Sequence, residues 1–296
     1  MSEPQTARDA ILKFYADCGV TAHLAATPQD RFATALAPPV PVDAPADAAA
    51  DDAFFDDDAP PHEGYDAGYA AHGAPAVIGA FGEMAEPAPA SEVMEAREAA
   101  RQAPTLEALH RAMIAFDGCP LKATARQACP GEGPIGAPLM FVGEAPGREE
   151  DEAGRPFVGR SGKLLNKMIA AIGLKREEVY ITNVIPWRPP GNRTPSPIET
   201  ATCEVFVRRE IALVGPKLLV PLGGPAAKTL LKNDAGIMRQ RGRWTRYVPE
   251  SGEAIDALAM FHPAYLLRTP AEKRRAWQDL LALRGRLETM HGFPPL

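Results

Sequence analysis

The chain has 296 residues, 46% of them hydrophobic and 24% charged, with a formal net charge of −6 and four cysteines. That is enough apolar material for one large domain or two small ones, and too few cysteines for a disulfide framework. No stretch is apolar enough to span a membrane, and the acidic N-terminus has no secretory pattern, so a cytoplasmic, bacterial-type protein is the expectation.

The charge is unevenly spread. Between Arg31 and Arg97 there is no Lys or Arg, while Asp and Glu occur thirteen times. Residues 97–296 carry a net +8, so the part able to build a core is basic although the whole chain is acidic. A basic domain suits a polyanionic partner.

In chain order, ARDAILKFYADCGV spaces Ile11, Leu12, Tyr15 and Ala16 as on a helix and predicts a short N-terminal element within residues 1–24. It packs on the main domain or serves a protein partner. Residues 25–100, rich in Ala, Pro and Asp, have little to bury and predict a disordered acidic linker; a partner-binding or DNA-mimicking tract is the other reading. A compact domain is expected over residues 101–296. It opens with the helical run TLEALHRAMIAF and continues with the strand APLMFV, which ends at the loop GEAPGREEDEAGRPFVG. KLLNKMIAAIGL predicts a helix and EVYITNVI a strand leading into the loop PWRPPGNRTPSP. IETATCEVFVRREIALV is helical, with Ser196-Pro197 as its start signal. KLLVPLGG reads as a strand, PAAKTLLK as a short helix, and RWTRYV and AIDALAMF as further strands. FHPAYLLRTP is the last loop, and a basic amphipathic helix, PAEKRRAWQDLLALRGRLETM, closes the chain. This alternation predicts a three-layer α/β/α sandwich around a central, mostly parallel sheet. In such folds ligands sit at the carboxyl ends of the strands, where these loops gather.

Nucleotide-cofactor binding is disfavoured. Gly143 and Gly147 lack the G-x-G-x-x-G spacing, no Walker lysine follows, and Glu149, Glu150 and Asp151 would repel a phosphate. Recognition of a flipped base fits better. A base outside its stack needs an aromatic face, an amide for its Watson–Crick edge and a closed cleft. Phe157 offers the face, Asn183 the amide and His262 a donor for a carbonyl that becomes negative. Singly, each has an ordinary explanation: a core phenylalanine, a turn asparagine, a loop histidine. Together, in three strand-end loops, they make one pocket.

The motifs GEAPGREEDEAGRPFVGRSGKLL, VYITNVIPWRPPGNRTPSPIE, LVPLGGPAA and FHPAYLLR, in this order, resemble the uracil-DNA glycosylase superfamily, specifically its family-four members. The resemblance covers about residues 105–290. It implies a DNA-repair hydrolase that flips uracil out of single- or double-stranded DNA and leaves an abasic site, acting as a monomer. By the resemblance, Phe157 stacks on uracil, Asn183 reads its edge, and Gly143, Ala145, Pro146 and Gly147 line the pocket. Glu144 is the expected carboxylate near the sugar and water, with Glu150 or Asp151 as support or substitute; family-one relatives carry an aspartate where this chain has Ala145. His262 stabilises the leaving anion. Tyr265, Leu266 and Leu267 supply an apolar wedge, and Arg268, Lys273, Arg274 and Arg275 meet phosphates.

One departure stands out. Family-four enzymes usually hold a 4Fe–4S cluster with four cysteines, and here Phe116 and Trp187 occupy two of the positions, leaving Cys119 and Cys203. Clusters of this kind take thiolates at all four positions, so no metal cofactor is expected, with Cys129 or Cys18 the only substitutes. The rival readings are a relative that traps its abasic product covalently, which would carry a histidine-containing insertion absent from GNRTPSP, and a non-catalytic DNA-binding relative. Wider specificity, covering hypoxanthine, xanthine or ethenocytosine, stays open.

Overall fold

The computed structural model describes residues 91–250 and 252–290; the expected N-terminal helix and the linker as far as residue 90 lie outside them. The compact part begins earlier than the expected residue 101. Helix α1, Ser91–Gln102, buries Val93, Ala96 and Ala100, so the end of the expected linker belongs to the folded domain. Helix α2, Leu106–Ala115, follows, its first turn closed by Thr105 Oγ1 accepting from Ala108 N at 3.2 Å. A single turn, α3 at Leu121–Thr124, leads toward the first strand.

Five short strands form the sheet: β1 Leu139–Gly143, β2 Tyr180–Asn183, β3 Leu218–Pro221, β4 Trp244–Tyr247 and β5 Ile255–Leu258. Their order is β2-β1-β3-β5-β4. The first four of that order run parallel, and β4 pairs antiparallel with β5 at the edge. Side chains alternate across the sheet as the pleat requires. Met140, Val142, Tyr180 and Leu219 pack into one apolar layer; Leu139, Phe141, Ile181 and Val220 pack into the other.

Helices cover both layers. On the first lie α1, α2, the long helix α6 (Pro197–Val214) and the short helix α7 (Gly224–Leu231), with α1 packed along α6. On the second lie α5 (Arg160–Ala171), α9 (Pro263–Arg268) and α10 (Lys273–Glu288). Two further short helices, α4 (Arg148–Ala153) and α8 (Ile237–Gln240), sit in connections. The architecture is the expected three-layer sandwich. Where FHPAYLLR reads as a loop, the chain forms α9, capped by His262.

Helix α6 begins as its sequence suggests. Ser196 Oγ accepts from Glu199 N at 3.3 Å, and Glu199 returns an oxygen to Ser196 N at 2.7 Å. Midway along, fully buried Glu210 ties three elements together. It accepts from Thr182 Oγ1 of β2 at 2.8 Å and from Gly131 N at 3.2 Å, and its Oε1 meets His110 Nε2 of α2 at 2.8 Å. Such a satisfied carboxylate anchors β2 immediately beside its last residue, Asn183.

If α1 belongs to the core, a chain beginning at residue 89 should melt cooperatively, and one beginning at residue 103 should melt about 5–10 °C lower as α6 loses its cover. Equal Tm values for the two truncations would remove α1 from the stabilising core.

Candidate active site

Parallel pairing sets the strand ends side by side. The register places Gly143, the last residue of β1, against Asn183, the last of β2. The chain past β5 arrives at Phe261 and His262 beside Leu222 and Gly223, which follow β3. A cavity of about 600 Å³ opens at this edge, lined among others by Glu144, Phe157, Asn183, Gly223 and His262. A neighbouring groove of about 730 Å³ shares Glu144, Thr194 and Pro195 with it. The structure thus brings together the three loops and the residues Glu144, Ala145, Pro146, Gly147, Phe157, Asn183 and His262.

Gly143 is a glycine for a steric reason. A Cβ there would strike Asn183 Oδ1 and come within 2.7 Å of Phe157 Cζ. Phe157 itself adopts φ 53°, a left-handed conformation that costs a non-glycine residue about 1–2 kcal/mol. Its ring lies 5.5 Å from the His262 ring, centre to centre, tilted by 34°. Only 4% of Phe157 is exposed.

Asn183 is the polar exception. Its Oδ1 is buried and, among the described residues, has no hydrogen-bond partner. An unpaired buried acceptor costs about 1–3 kcal/mol, so Asn183 Oδ1 is suited to take a donor from the cavity.

His262 has a defined tautomer. Its Nδ1 accepts from Ala264 N at 3.1 Å at the start of α9, which leaves the proton on Nε2. Burial, and secondarily the charge of Arg268, push its pKa down to about 4. It is therefore a neutral donor near pH 7. Burial pushes the Glu144 carboxyl above its ordinary range. The Glu144 carbonyl is pinned by Ile185 N at 3.0 Å.

The other acidic candidates are spent on the loop. Glu150 Oε1 accepts from Val158 N at 3.0 Å and Gly159 N at 2.8 Å, and its Oε2 accepts from Gly147 N at 3.1 Å. Asp151 Oδ1 accepts from Arg126 N at 2.8 Å. Glu149 caps α5 by accepting from Arg160 N at 3.1 Å. These carboxylates organise the backbone, which accords with the supporting half of the expectation for Glu150 and Asp151, and Glu150 also lines the cavity.

The DNA-facing expectation also changes. Leu266 is 1% exposed and belongs to the core, and Lys273 is 5% exposed, so neither is free to meet DNA. Arg268 is exposed at the cavity rim and Arg274 is exposed on α10. Tyr265 and Leu267 are half-buried, with the Tyr265 ring packed on Phe261 at 5.0 Å. Arg275 pairs with Glu272 at 3.1 Å. Sequence reasoning did not single out the site contributions of Asn192, Thr194, Pro195 and Ile237. The proline-rich loop was legible, but not which of its residues turn inward.

Every residue from 130 to 281 falls within a match to the family model of the uracil DNA glycosylase superfamily. The chain belongs to the uracil DNA glycosylase superfamily. It is 37% identical over 187 residues to the type-4 uracil-DNA glycosylase of Pyrobaculum aerophilum, covering 61% of this chain and 93% of that one. It is 40% identical over 170 residues to the type-4 enzyme of Archaeoglobus fulgidus, covering 56% of this chain and 85% of the relative. With the type-4 enzyme of Thermotoga maritima the identity is 40% over 158 residues, covering 53% and 80% of the two chains. Among the described residues, no helix is long and apolar enough to cross a membrane.

The iron–sulfur cluster of type-4 members does not fit the residues present. At its position Cys203 Sγ lies 3.7 Å from Cys119 Sγ, both buried. Phe116 packs edge-on against Phe206 at 5.5 Å, and Trp187 is fully buried in the same apolar layer. Two thiols and two aromatic rings do not supply four ligands. Cys129 is engaged elsewhere, its thiol donating to Glu150 O at 3.1 Å. Its pKa is pushed up to about 12 by burial and then by the Asp151 and Glu150 charges, so it stays a neutral thiol.

Gly143→Ala should lower kcat/KM for base release by about 10²-fold, because the new methyl displaces both Asn183 and Phe157. Unaltered kinetics in a folded Gly143→Ala protein would mean the two side chains are not held where the base binds.

Proposed function

We propose that the protein extrudes uracil from DNA and hydrolyses its N-glycosidic bond, leaving an abasic site. The observation that carries the reading is the unpaired, buried Asn183 Oδ1 beside the Phe157 ring. Uracil presents an N–H at N3 on its Watson–Crick edge and completes that acceptor. Cytosine presents a lone pair at the same place and is repelled. Phe157 supports the base by stacking, which is worth about 1–3 kcal/mol per base.

Bond cleavage moves electrons from the C1′–N1 bond onto the departing base, leaving positive charge on the sugar. His262 Nε2–H is a neutral donor suited to the uracil O2 as that oxygen gains charge. Glu144, ionised, favours the cationic sugar and orients the water whose oxygen bonds to C1′. The proton lost from that water balances the charge of the released uracil anion. Glu150, Asp151 and Glu149 act behind this, by shaping the loop. Arg268 and Arg274 are exposed cations suited to the phosphates of single- or double-stranded DNA. The chemistry needs no redox group, and the substituted cluster position supports a metal-free enzyme.

The test is release of free uracil from single-stranded and U:G oligonucleotides, without added metal, measured across pH for the wild type and Glu144→Gln. Wild-type kcat/KM should fall on the acid side above the ordinary carboxylate range, since burial raises the Glu144 pKa and the working form is the ionised one. Glu144→Gln should lower the plateau by about 10²-fold and abolish that limb. No uracil release from either substrate would refute the function; an unchanged acid limb in Glu144→Gln would refute the role of Glu144.

A further inference from the structure

Phe157 stands at φ 53°, and nothing in a phenylalanine favours that conformation, so its surroundings must impose it. Two opposite charges grip the peptides on either side of it. Arg176, in the turn before β2, donates from Nη2 to Pro156 O at 2.7 Å and from Nη1 to Phe157 O at 3.0 Å. Glu150 takes the next two amides, Val158 N at 3.0 Å and Gly159 N at 2.8 Å. A guanidinium thus holds two carbonyls and a carboxylate two N–H groups of one four-residue stretch.

The guanidinium is itself aimed. Its Nε donates to Glu132 Oε1 at 3.0 Å, and Nη1 also reaches Asn166 Oδ1 at 2.8 Å. Arg155 occupies the other Glu132 oxygen at 2.8 Å, so Glu132 cannot swing away without losing both arginines. Gly162 leaves the room into which the Phe157 carbonyl fits; a Cβ there would land on it.

We infer that Arg176 is a positioning residue for base binding, acting through Phe157: with Glu150 it fixes the strained peptide and so sets the plane of the stacking ring. The inference rests on the base-pocket reading of the site. A planar, forked donor is required, because a lysine ammonium cannot bridge two carbonyls and keep an edge on Glu132. Neither Arg176 nor Glu132 lines the cavity, so any effect on the base must pass through the loop.

The experiment compares Arg176→Lys in the wild-type and Phe157→Leu backgrounds, reading Tm, kcat/KM on single-stranded uracil DNA, and inhibition by free uracil. Free uracil isolates the ring platform from DNA contacts. In the wild-type background Arg176→Lys should weaken both uracil inhibition and kcat/KM by about tenfold, as misplacement of a contact group predicts. In the Phe157→Leu background, with no ring to aim, the same change should cost less than about twofold, the non-additivity expected of coupled residues. Equal losses in the two backgrounds, or none in either, overturn the inference. If Arg176→Lys does not fold, Glu132→Gln, which keeps the guanidinium but loosens its aim, is read in the same cycle. A wild type that releases no uracil defeats the functional reading instead, so the two failures are distinct.

Discussion

The pairing of β1 with β2 is the constraint on which the site depends. Because Gly143 lies in register with Asn183, the amide proposed to read a base and the glycine that makes room for it are set by one ladder of hydrogen bonds. A slip of one residue would turn Asn183 to the opposite face and bury its amide against a helix layer. The strand is kept from slipping by apolar packing on both faces and by the Glu210 network, which grips Thr182 one residue before Asn183. Stability and recognition therefore share a strand. The core positions Asn183, whose buried Oδ1 has no hydrogen-bond partner among the described residues.

Charge has two separate uses around this strand end. The acidic run after Gly147 would repel a polyanion, yet Glu149, Glu150 and Asp151 accept from backbone amides and Glu152 pairs with Arg148 at 3.0 Å, which turns a repulsive cluster into a scaffold. Glu144 alone in that loop shows no such side-chain engagement among the described residues, and burial keeps its proton affinity high. The helix that starts at His262 fixes the other half of the chemistry. Accepting the amide of Ala264 is both a helix cap and the choice of imidazole tautomer. Two structural tasks, a loop scaffold and a cap, thereby prepare the acid–base state of the site.

Much of this was legible in the amino-acid sequence, for physical reasons that differ by element. Strands such as LMFV and LLVP are buried on both faces and read as continuous apolar runs, and Ser196-Pro197 announces its helix. Four ordered motifs made the family recognisable. Helix α1 escaped because two of its three buried residues are alanines, Ala96 and Ala100, at the end of an Ala-rich acidic segment. FHPAYLLR looked like a loop because Pro263 follows a strand, although proline is well suited to the first position of a helix. Leu266 and Lys273 were placed on the DNA side because neither a His-Pro loop motif nor the first residue of a basic helix reveals which side chains turn to the core. Glu150 and Asp151 illustrate a deeper limit. Carboxylates that bind substrate and carboxylates that bind backbone have the same composition and spacing, and only the direction of the neighbouring N–H groups separates them.

The central claim, that Asn183 Oδ1 awaits the N–H at N3 of uracil, is tested most directly by comparing free uracil with 3-methyluracil as inhibitors of base release. The methyl group removes the one donor that the acceptor needs and leaves stacking and the remaining ring edge in place. Uracil should inhibit about 10–100-fold more strongly than 3-methyluracil, the range expected for leaving a buried acceptor unpaired. Equal inhibition by the two bases, with wild-type protein in its folded state, would contradict the account.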